Sequence, residues 1–519
     1  MKFDISGMLT ADVYDHPADS IELIETHISW VILTGEFAYK IKKPVNFGFL
    51  DFSTLEKRHA FCEQEIRLNR RLAPDIYIEV VAITGTHDKP HVSSLFTSDQ
   101  DAAFEYAVKM RQFPQAAQLD HMLEAGELNL QHMDALASTV AEFHQQADIA
   151  DSSTEYGSPS VLYHPVEENF QQIKQHLDTE QYADKLKLIK QWSETEFLRL
   201  ASIFEQRKKD GFVRQCHGDM HLRNLIWLNN RPMAFDCIEF NPLLSWVDVM
   251  SEVAFLIMDL QDRQCNILAN RFLNSYLQST GDYAGLSVMS FYLCYRALVR
   301  AKVAALRLEQ EHDSKEDRQQ TLAEFESYLA LASRYTHVSK VKLIITYGMS
   351  GAGKSTVSQQ LTDQSGFIRI RSDVERKRLF DIELHESVSA EVNTSIYSEQ
   401  ASQQTYTKLL GLASQILTAG YSVIVDAAFL QYEQREVFRQ LAEELNVSFV
   451  ILEISAPFAV LKQRIINRTN DVSDADIGVL EYQCKNWKPL RKNEMDKSVR
   501  VDTGNTVDIK KLTVEIDAI

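Results

Sequence analysis

Short apolar-rich runs alternate with charged punctuation over the first hundred residues of the chain. IELIET (21–26), WVILTG (30–35) and FAYKIKK (37–43) predict three strands, with TGEF (34–37) as a hairpin turn. Residues 53–72 change period: Phe61, Ile66, Leu68 and Leu72 recur near helical spacing, and Ser53 with Glu56 fits a capping box. DIYIEVVAIT (75–84) and AFEYAVKMRQF (103–113) predict further strands. From about residue 128 the pattern turns helical, over 132–146, 183–211 and 290–308, broken by two short strands at 224–228 and 232–238. A charge-dense run then precedes a second pattern, in which apolar strands at 341–348, 421–429 and 447–455 alternate with helices. That alternation predicts a parallel sheet covered on both faces.

The expected architecture is therefore multi-domain. An N-terminal α+β domain covers 1–315, with a β-rich lobe to about 113 and a helical lobe from about 114 to 315. A linker helix follows at 316–338, then an α/β domain at 339–519. The length of 519 residues fits two or three cores.

The net charge of −19 argues against a nucleic-acid scaffold or an anionic membrane surface, although RIRSDVERKR (369–378) and YKIKKP (39–44) are locally basic. Six cysteines, none in a CxxC pair, suit reduced thiols and give no zinc pattern. With no apolar leader run and no apolar stretch near 20 residues, the reading is a soluble cytoplasmic protein.

GMSGAGKST (348–356) carries the clearest chemistry. It follows a strand and opens a helix, the setting a phosphate-binding loop requires. Gly348, Gly351 and Gly353 let backbone N–H groups approach phosphate oxygens, and Ala352 lies among them. Lys354 is placed to reach the β- and γ-phosphates of ATP, and Ser355 to ligate Mg²⁺ with Thr356 beside it. Asp426 ends the apolar strand VIVD, where it would orient the metal. Asp373, closing FIRIRSD (367–373), the second strand of this half, is the candidate base for an acceptor hydroxyl, with Arg371 and Arg376 gripping an anionic acceptor or the transferred phosphoryl group. This segment resembles its counterpart in polynucleotide kinases, gluconate kinases and zeta-toxin-like kinases. LKQRIINRTNDVSDAD (461–476) resembles the lid of small kinases of this type, which implies ATP contacts for Arg464 and Arg468.

A second device lies upstream in CHGDMHLRNLIW (216–227). Phosphoryl transfer to an alcohol needs a base, oxygen ligands for Mg²⁺ and a lysine on the nucleotide phosphates. Asp219 is the base candidate, Asn224 and Asp236 the metal ligands, and Lys40 the phosphate anchor, with Lys42 on the same strand face as its alternative. Glu65 on the following helix would pair with Lys40, with Glu63 as the alternative. His217 reads as a packed loop former and His144 as a core or interface histidine. HGDMHLRN together with AFDCIEF resembles the aminoglycoside phosphotransferase and choline kinase group, over roughly residues 20–310. That resemblance implies a protein-kinase-like, two-lobed fold, and a role for Asp248 in holding the catalytic loop. The loop ETHISW (25–30), in the position of the protein-kinase Gly-rich loop, has no glycine. The whole chain resembles bacterial fusions of such a domain with a small P-loop kinase.

The expectation is an ATP- and Mg²⁺-dependent kinase with two small-molecule phosphotransferase modules, whose partners are ATP and small acceptors. Its alternatives are a P-loop kinase regulated by a nucleotide-sensing kinase-like domain, and a nucleotide or polynucleotide 5′-kinase.

Overall fold

The computed structural model describes residues 4–46, 48, 50–94, 103–177, 180–309, 314–337, 340–383, 396, 398–467 and 477–519. They form two compact units, one of Met1–Gln172 with Ala201–Asp259, the other of Ile173–Leu200 with Leu260–Ile519.

The first unit opens with strands β1 (Glu22–Glu25), β2 (Ser29–Leu33) and β3 (Phe37–Lys42), helix α1 (Leu55–Asn69), and strands β4 (Tyr77–Thr86), β5 (Lys89–Ser94) and β6 (Glu105–Arg111). The six strands form one sheet in the order β1-β2-β3-β6-β4-β5. The expected hairpin closes at Thr34, whose N–H donates to the Phe37 carbonyl at 2.9 Å. Strand alternation sets the two faces of β3. Tyr39 and Ile41 enter an apolar cluster with Ile32, Val81 and Ala107, which leaves Lys40 and Lys42 for the face covered by α1. The cap of α1 is Thr54, one residue past the expected Ser53: the Thr54 hydroxyl accepts from the Lys57 N–H. Strand β5 was not expected, because Pro90 interrupts its pattern.

The same unit continues with the helix Leu130–Gln146 and four short strands, β7 (Val213–Gln215), β8 (Leu225–Leu228), β9 (Arg231–Ala234) and β10 (Trp246–Asp248). β8 and β9 form one antiparallel hairpin, and β7 pairs with β10. The helix Val249–Asp262 follows directly.

In the second unit, strands β11 (Lys342–Tyr347), β12 (Ile368–Arg371), β13 (Val423–Asp426), β14 (Ser448–Ser455) and β15 (Ser498–Asp502) form a parallel sheet in the order β12-β13-β11-β14-β15. Residues 343–347 of β11 are all buried, as expected of a central strand with both faces covered. The helices Lys354–Ser365 and Ile509–Asp517 contribute Leu361, Leu512 and Ile516 to a core with Ile344, Ile424 and Val450.

Residues 173–200 and 260–309 pack with the second unit. The helix Asn266–Thr280 lies against the P-loop helix. Asn274 donates to the Phe367 carbonyl at 3.0 Å and accepts from the Arg369 N–H at 2.8 Å, which satisfies backbone groups of the edge strand β12. Among the described residues, no helix is long and apolar enough to cross a membrane.

Candidate active site

In the first unit, β3 and α1 bring Lys40 and Glu65 together. Lys40 Nζ lies 2.8 Å from Glu65 Oε1 and also bonds Asp236 Oδ1. Lys42 Nζ reaches the other oxygen of Glu65 at 2.7 Å and bonds Glu239. Both lysines of the strand therefore meet Glu65, whereas Glu63 is 62% exposed and faces His59. Burial works against the Lys40 ammonium, but Asp236, Glu65 and Glu239 outweigh it and hold the group well above its ordinary value. The Glu65 carboxyl is likewise held below its ordinary value, against its burial, by the two lysines. Asp236 stands at φ +63°, a conformation Asp tolerates better than most residues, and its N–H donates to the Tyr77 hydroxyl at 3.0 Å. Its carboxylate stays 47% exposed.

Asp219 and Asn224 meet in the loop between β7 and β8. Asn224 Nδ2 donates to the Asp219 carbonyl and to Asp219 Oδ2, both at 3.0 Å. His221 Nε2 lies 3.4 Å from the same carboxylate. His217 is fully buried: its Nε2 bonds the Phe235 carbonyl at 2.8 Å, and its Nδ1 accepts from the Asp219 N–H at 3.3 Å. Burial holds its imidazole below the ordinary value. Two carboxylates of the helix Val249–Asp262 hold the loop from below. Glu252 accepts from the Gly218 N–H at 2.7 Å, and Asp259 from the Leu222 N–H at 2.9 Å. His144 Nε2 bonds the other oxygen of Glu252 at 3.0 Å. The loop-holding role expected of Asp248 belongs to Glu252, one helical turn later. Asp248 instead takes both Nε and Nη2 of Arg207, at 2.6 and 2.9 Å, and caps its own helix at Met250.

In the second unit the P-loop joins β11 to the helix Lys354–Ser365. Gly351 has φ +79°, and a Cβ there would lie 2.7 Å from the Leu461 carbonyl oxygen. A Cβ at Gly348 would lie 2.3 Å from the Ile454 carbonyl oxygen, so neither turn admits a side chain. Lys354 Nζ folds back to the Met349 carbonyl at 2.9 Å, and Gly353 caps the helix. Ala352 is buried, its carbonyl accepting from Thr503 Oγ1 at 2.7 Å, while Ser355 and Thr356 occupy the first helical turn. Asp426 is buried behind that turn and accepts from Ser358 Oγ at 3.2 Å. Arg371 Nε and Arg369 Nη1 each lie 3.9 Å from Asp426 Oδ2. Asp373 sits in the first turn of the helix Ser372–Leu379.

Two of the expected arginines bond backbone carbonyls. Arg376 is buried and donates to the Ile396 carbonyl at 2.7 Å. Arg464 donates to the Gly351 carbonyl at 3.3 Å and to Thr503 at 2.9 and 2.7 Å, so it braces the P-loop from outside. Arg468 lies outside the described residues.

The donor atoms in both places suit ATP with Mg²⁺, a hard cation that takes oxygen ligands. In the first unit the amide nitrogen of Asn224 is engaged, so its Oδ1 is the atom available to a cation, beside the half-exposed Asp236 carboxylate. In the second, the Ser355 hydroxyl and the Asp426 carboxylate flank the P-loop helix.

Residues 51–289 match the model of the phosphotransferase enzyme family, and residues 343–490 match that of an AAA domain. The chain joins a phosphotransferase-family region to an AAA-domain region. An uncharacterised protein of Mycobacterium tuberculosis (strain ATCC 25618 / H37Rv) is 29% identical over 490 residues, which is 93% of this chain and 92% of that protein. Among solved structures, an amicoumacin kinase in complex with AMP-PNP, Ca²⁺ and its ligand is 14% identical over 62% of this chain and 91% of its own, with a TM-score of 0.39. An ethanolamine kinase of Plasmodium vivax is 11% identical over 61% and 84%, with a TM-score of 0.38. A gluconokinase of Sinorhizobium meliloti 1021 is 20% identical over 34% and 90%, with a TM-score of 0.25.

Four residues at these places escaped the sequence reading. Glu239 sits three residues past Asp236, a spacing that gave a usable signal. Glu252 lies four residues past Asp248, in the first turn of the helix that follows it. Arg369 alternates with Arg371 along β12. Gln483, whose Oε1 accepts from the P-loop N–H of Ser350 at 2.8 Å, comes from a distant helix and left no signal.

Proposed function

We propose that the chain is an ATP-dependent phosphotransferase with two phosphoryl-transfer modules, each passing the γ-phosphoryl group of ATP to a hydroxyl of a small molecule in the cytoplasm. The observation that carries this reading is the meeting of Lys40, Glu65 and Asp236 in the unit that also joins Asp219 to Asn224. Four sequence-distant segments converge there on the groups that phosphoryl transfer needs.

Bound MgATP would supply the electrophilic phosphorus and the metal charge. Lys40 would move one of its bonds from Asp236 to a phosphate oxygen and keep the other on Glu65. Asn224 Oδ1 and Asp236 would hold the metal. Asp219 would orient the acceptor hydroxyl and take its proton at a carboxylate oxygen, with Asn224 Nδ2 and His221 fixing that carboxylate. In the second module the P-loop N–H groups and Lys354 would hold the phosphates, Ser355 and Asp426 the metal, and Asp373 the acceptor hydroxyl, with Arg371 beside it.

The test is ATP-to-ADP conversion against a metabolite library, with the full chain and its Asp219→Ala and Lys354→Ala variants. Two modules predict two sets of acceptors, one lost with each variant. If Asp219→Ala changes no turnover while Lys354→Ala abolishes all of it, the first module is a nucleotide sensor instead. Tight, salt-sensitive binding of single-stranded oligonucleotides would favour a 5′-kinase.

A further inference from the structure

Glu65 is held by two lysines rather than one, and the second of them is not free to leave. Lys42 is buried with its ammonium bonded to both Glu65 and Glu239, and it lies 4.8 Å from the centre of the Phe52 ring. Glu239 is buried as well, three residues after Asp236 on the segment that carries the candidate metal ligand. The same segment is tied down at each step. The Cys237 N–H donates to Asn69 Oδ1 at 2.9 Å, the Ile238 N–H to the His217 carbonyl at 3.0 Å, and Asn69 Nδ2 returns to the Glu65 carbonyl at 2.9 Å.

The two lysines have different surroundings. The Asp236 carboxylate that Lys40 contacts is half-exposed and can be drawn away by a cation. Lys42 contacts only buried carboxylates. Three carboxylates face two ammonium groups in this cluster, so it carries one excess negative charge that a bound cation would offset. Burial holds Glu239 above its ordinary carboxylate value against the pull of Lys42, whereas the two lysines hold Glu65 below its own.

We propose that Lys42 and Glu239 are positioning residues: a second, buried ion pair that fixes Glu65 and the Asp236 segment in the nucleotide-ready arrangement before any nucleotide arrives. This rests on the reading of Lys40 and Asp236 as MgATP contacts. With Lys42 on Oε2, Glu65 keeps its orientation when Lys40 exchanges Asp236 for a phosphate. With Glu239 on Lys42, the metal-bearing segment stays in register with β3. The anchor pair of this module is thus assembled in the resting state, and nucleotide binding need not create it.

The experiment measures MgATP affinity of the full chain in a Lys354→Ala background, which removes the P-loop contribution. Lys40→Met sets the scale. Lys42→Met leaves two buried carboxylates facing each other, so the charge-relieved double variant Lys42→Met/Glu239→Gln is compared with it, and circular dichroism checks that each is folded. The expected result is MgATP binding weakened by about tenfold or more in the double variant, the range seen when outer partners of a site are lost, with Lys42→Arg recovering most of it. A folded double variant that binds like the parent, beside a Lys40→Met variant that does not bind, overturns the positioning role alone. Parent-like binding by Lys40→Met overturns the nucleotide reading of this cleft and the positioning role with it.

Discussion

Replacing Glu252 tests whether one buried carboxylate holds the loop that carries Asp219. Its Oε2 takes the Gly218 N–H at 2.7 Å and its Oε1 meets His144 Nε2 at 3.0 Å, both out of solvent. In Glu252→Ala both partners lose this buried acceptor. A hydrogen bond to a charged acceptor contributes about 1.5–3 kcal/mol, and a buried polar group left unpaired costs about 1–3 kcal/mol. Non-additivity brings the expected loss to about 3–5 kcal/mol, the usual cost of breaking a buried charged pair. Glu252→Gln keeps the shape and an acceptor for Gly218, so it should cost about 1–2 kcal/mol. The assay is hydrogen exchange on the full chain, read on peptides covering 213–224. The alanine variant should lose roughly 100-fold or more in protection there, at about 1.4 kcal/mol per tenfold, and the glutamine variant roughly tenfold. Peptides from β11 serve as the internal control. Unchanged exchange around Gly218 in the alanine variant would refute the reasoning, because another group would then be holding the loop.

Gly351→Ala should destabilise the second unit by about 2–3 kcal/mol, since φ +79° disfavours a side chain and the new Cβ would meet the Leu461 carbonyl oxygen at 2.7 Å; chemical denaturation followed by β11 peptide exchange measures it. Gln483→Leu frees the Ser350 N–H now bonded at 2.8 Å, so a nucleotide that uses this donor should bind about threefold to tenfold tighter at the P-loop, as calorimetry would show. Burial depresses the His217 imidazole from its ordinary 6.5, so the folded loop prefers the neutral ring. The stability it contributes is complete above that value and is lost as pH falls below it, where protonation of Nδ1 breaks the bond from the Asp219 N–H. Exchange of the 213–224 peptides, corrected for intrinsic rates, should therefore rise below pH 6.5 and not above it.

The strand-loop-helix setting of GMSGAGKST was readable in full, because helix, turn and sheet signals there follow one another directly along the chain. Strand β3 was readable too, and its period placed Lys40 and Lys42 on one face. What it could not supply was the division of labour, since only the packing of α1 and the 236–239 segment decides which carboxylate each ammonium meets. Strands β7 and β10 escaped because three residues are too few to show a period, and β15 because its alternation follows a polar stretch. Only Asp248 was expected to hold the loop, whereas Glu252, four residues on in the following helix, carries the bond to Gly218. The buried Arg207 claims the first and leaves the second.

The two devices differ in legibility because, as proposed, they would recognise phosphate by different means. In the P-loop the donors are consecutive backbone N–H groups, so the sequence must spell them as one run of glycines with a lysine. In the proposed module of the first unit the corresponding work would fall to side chains at 40, 65, 219, 224 and 236, and between them only the fold enforces proximity. A P-loop contact can be removed by one Cβ, as at Gly351. A side-chain site can be degraded by a residue that touches neither nucleotide nor acceptor, because Glu65 and the Asp236 segment owe their placement to others. Substitutions that weaken the second module should therefore cluster within its motif, while those that weaken the first should include Lys42, Glu239 and Glu252. A saturation scan scored by nucleotide affinity at each module separates the two patterns. Equal clustering at both would mean that the side-chain site does not depend on its buried partners.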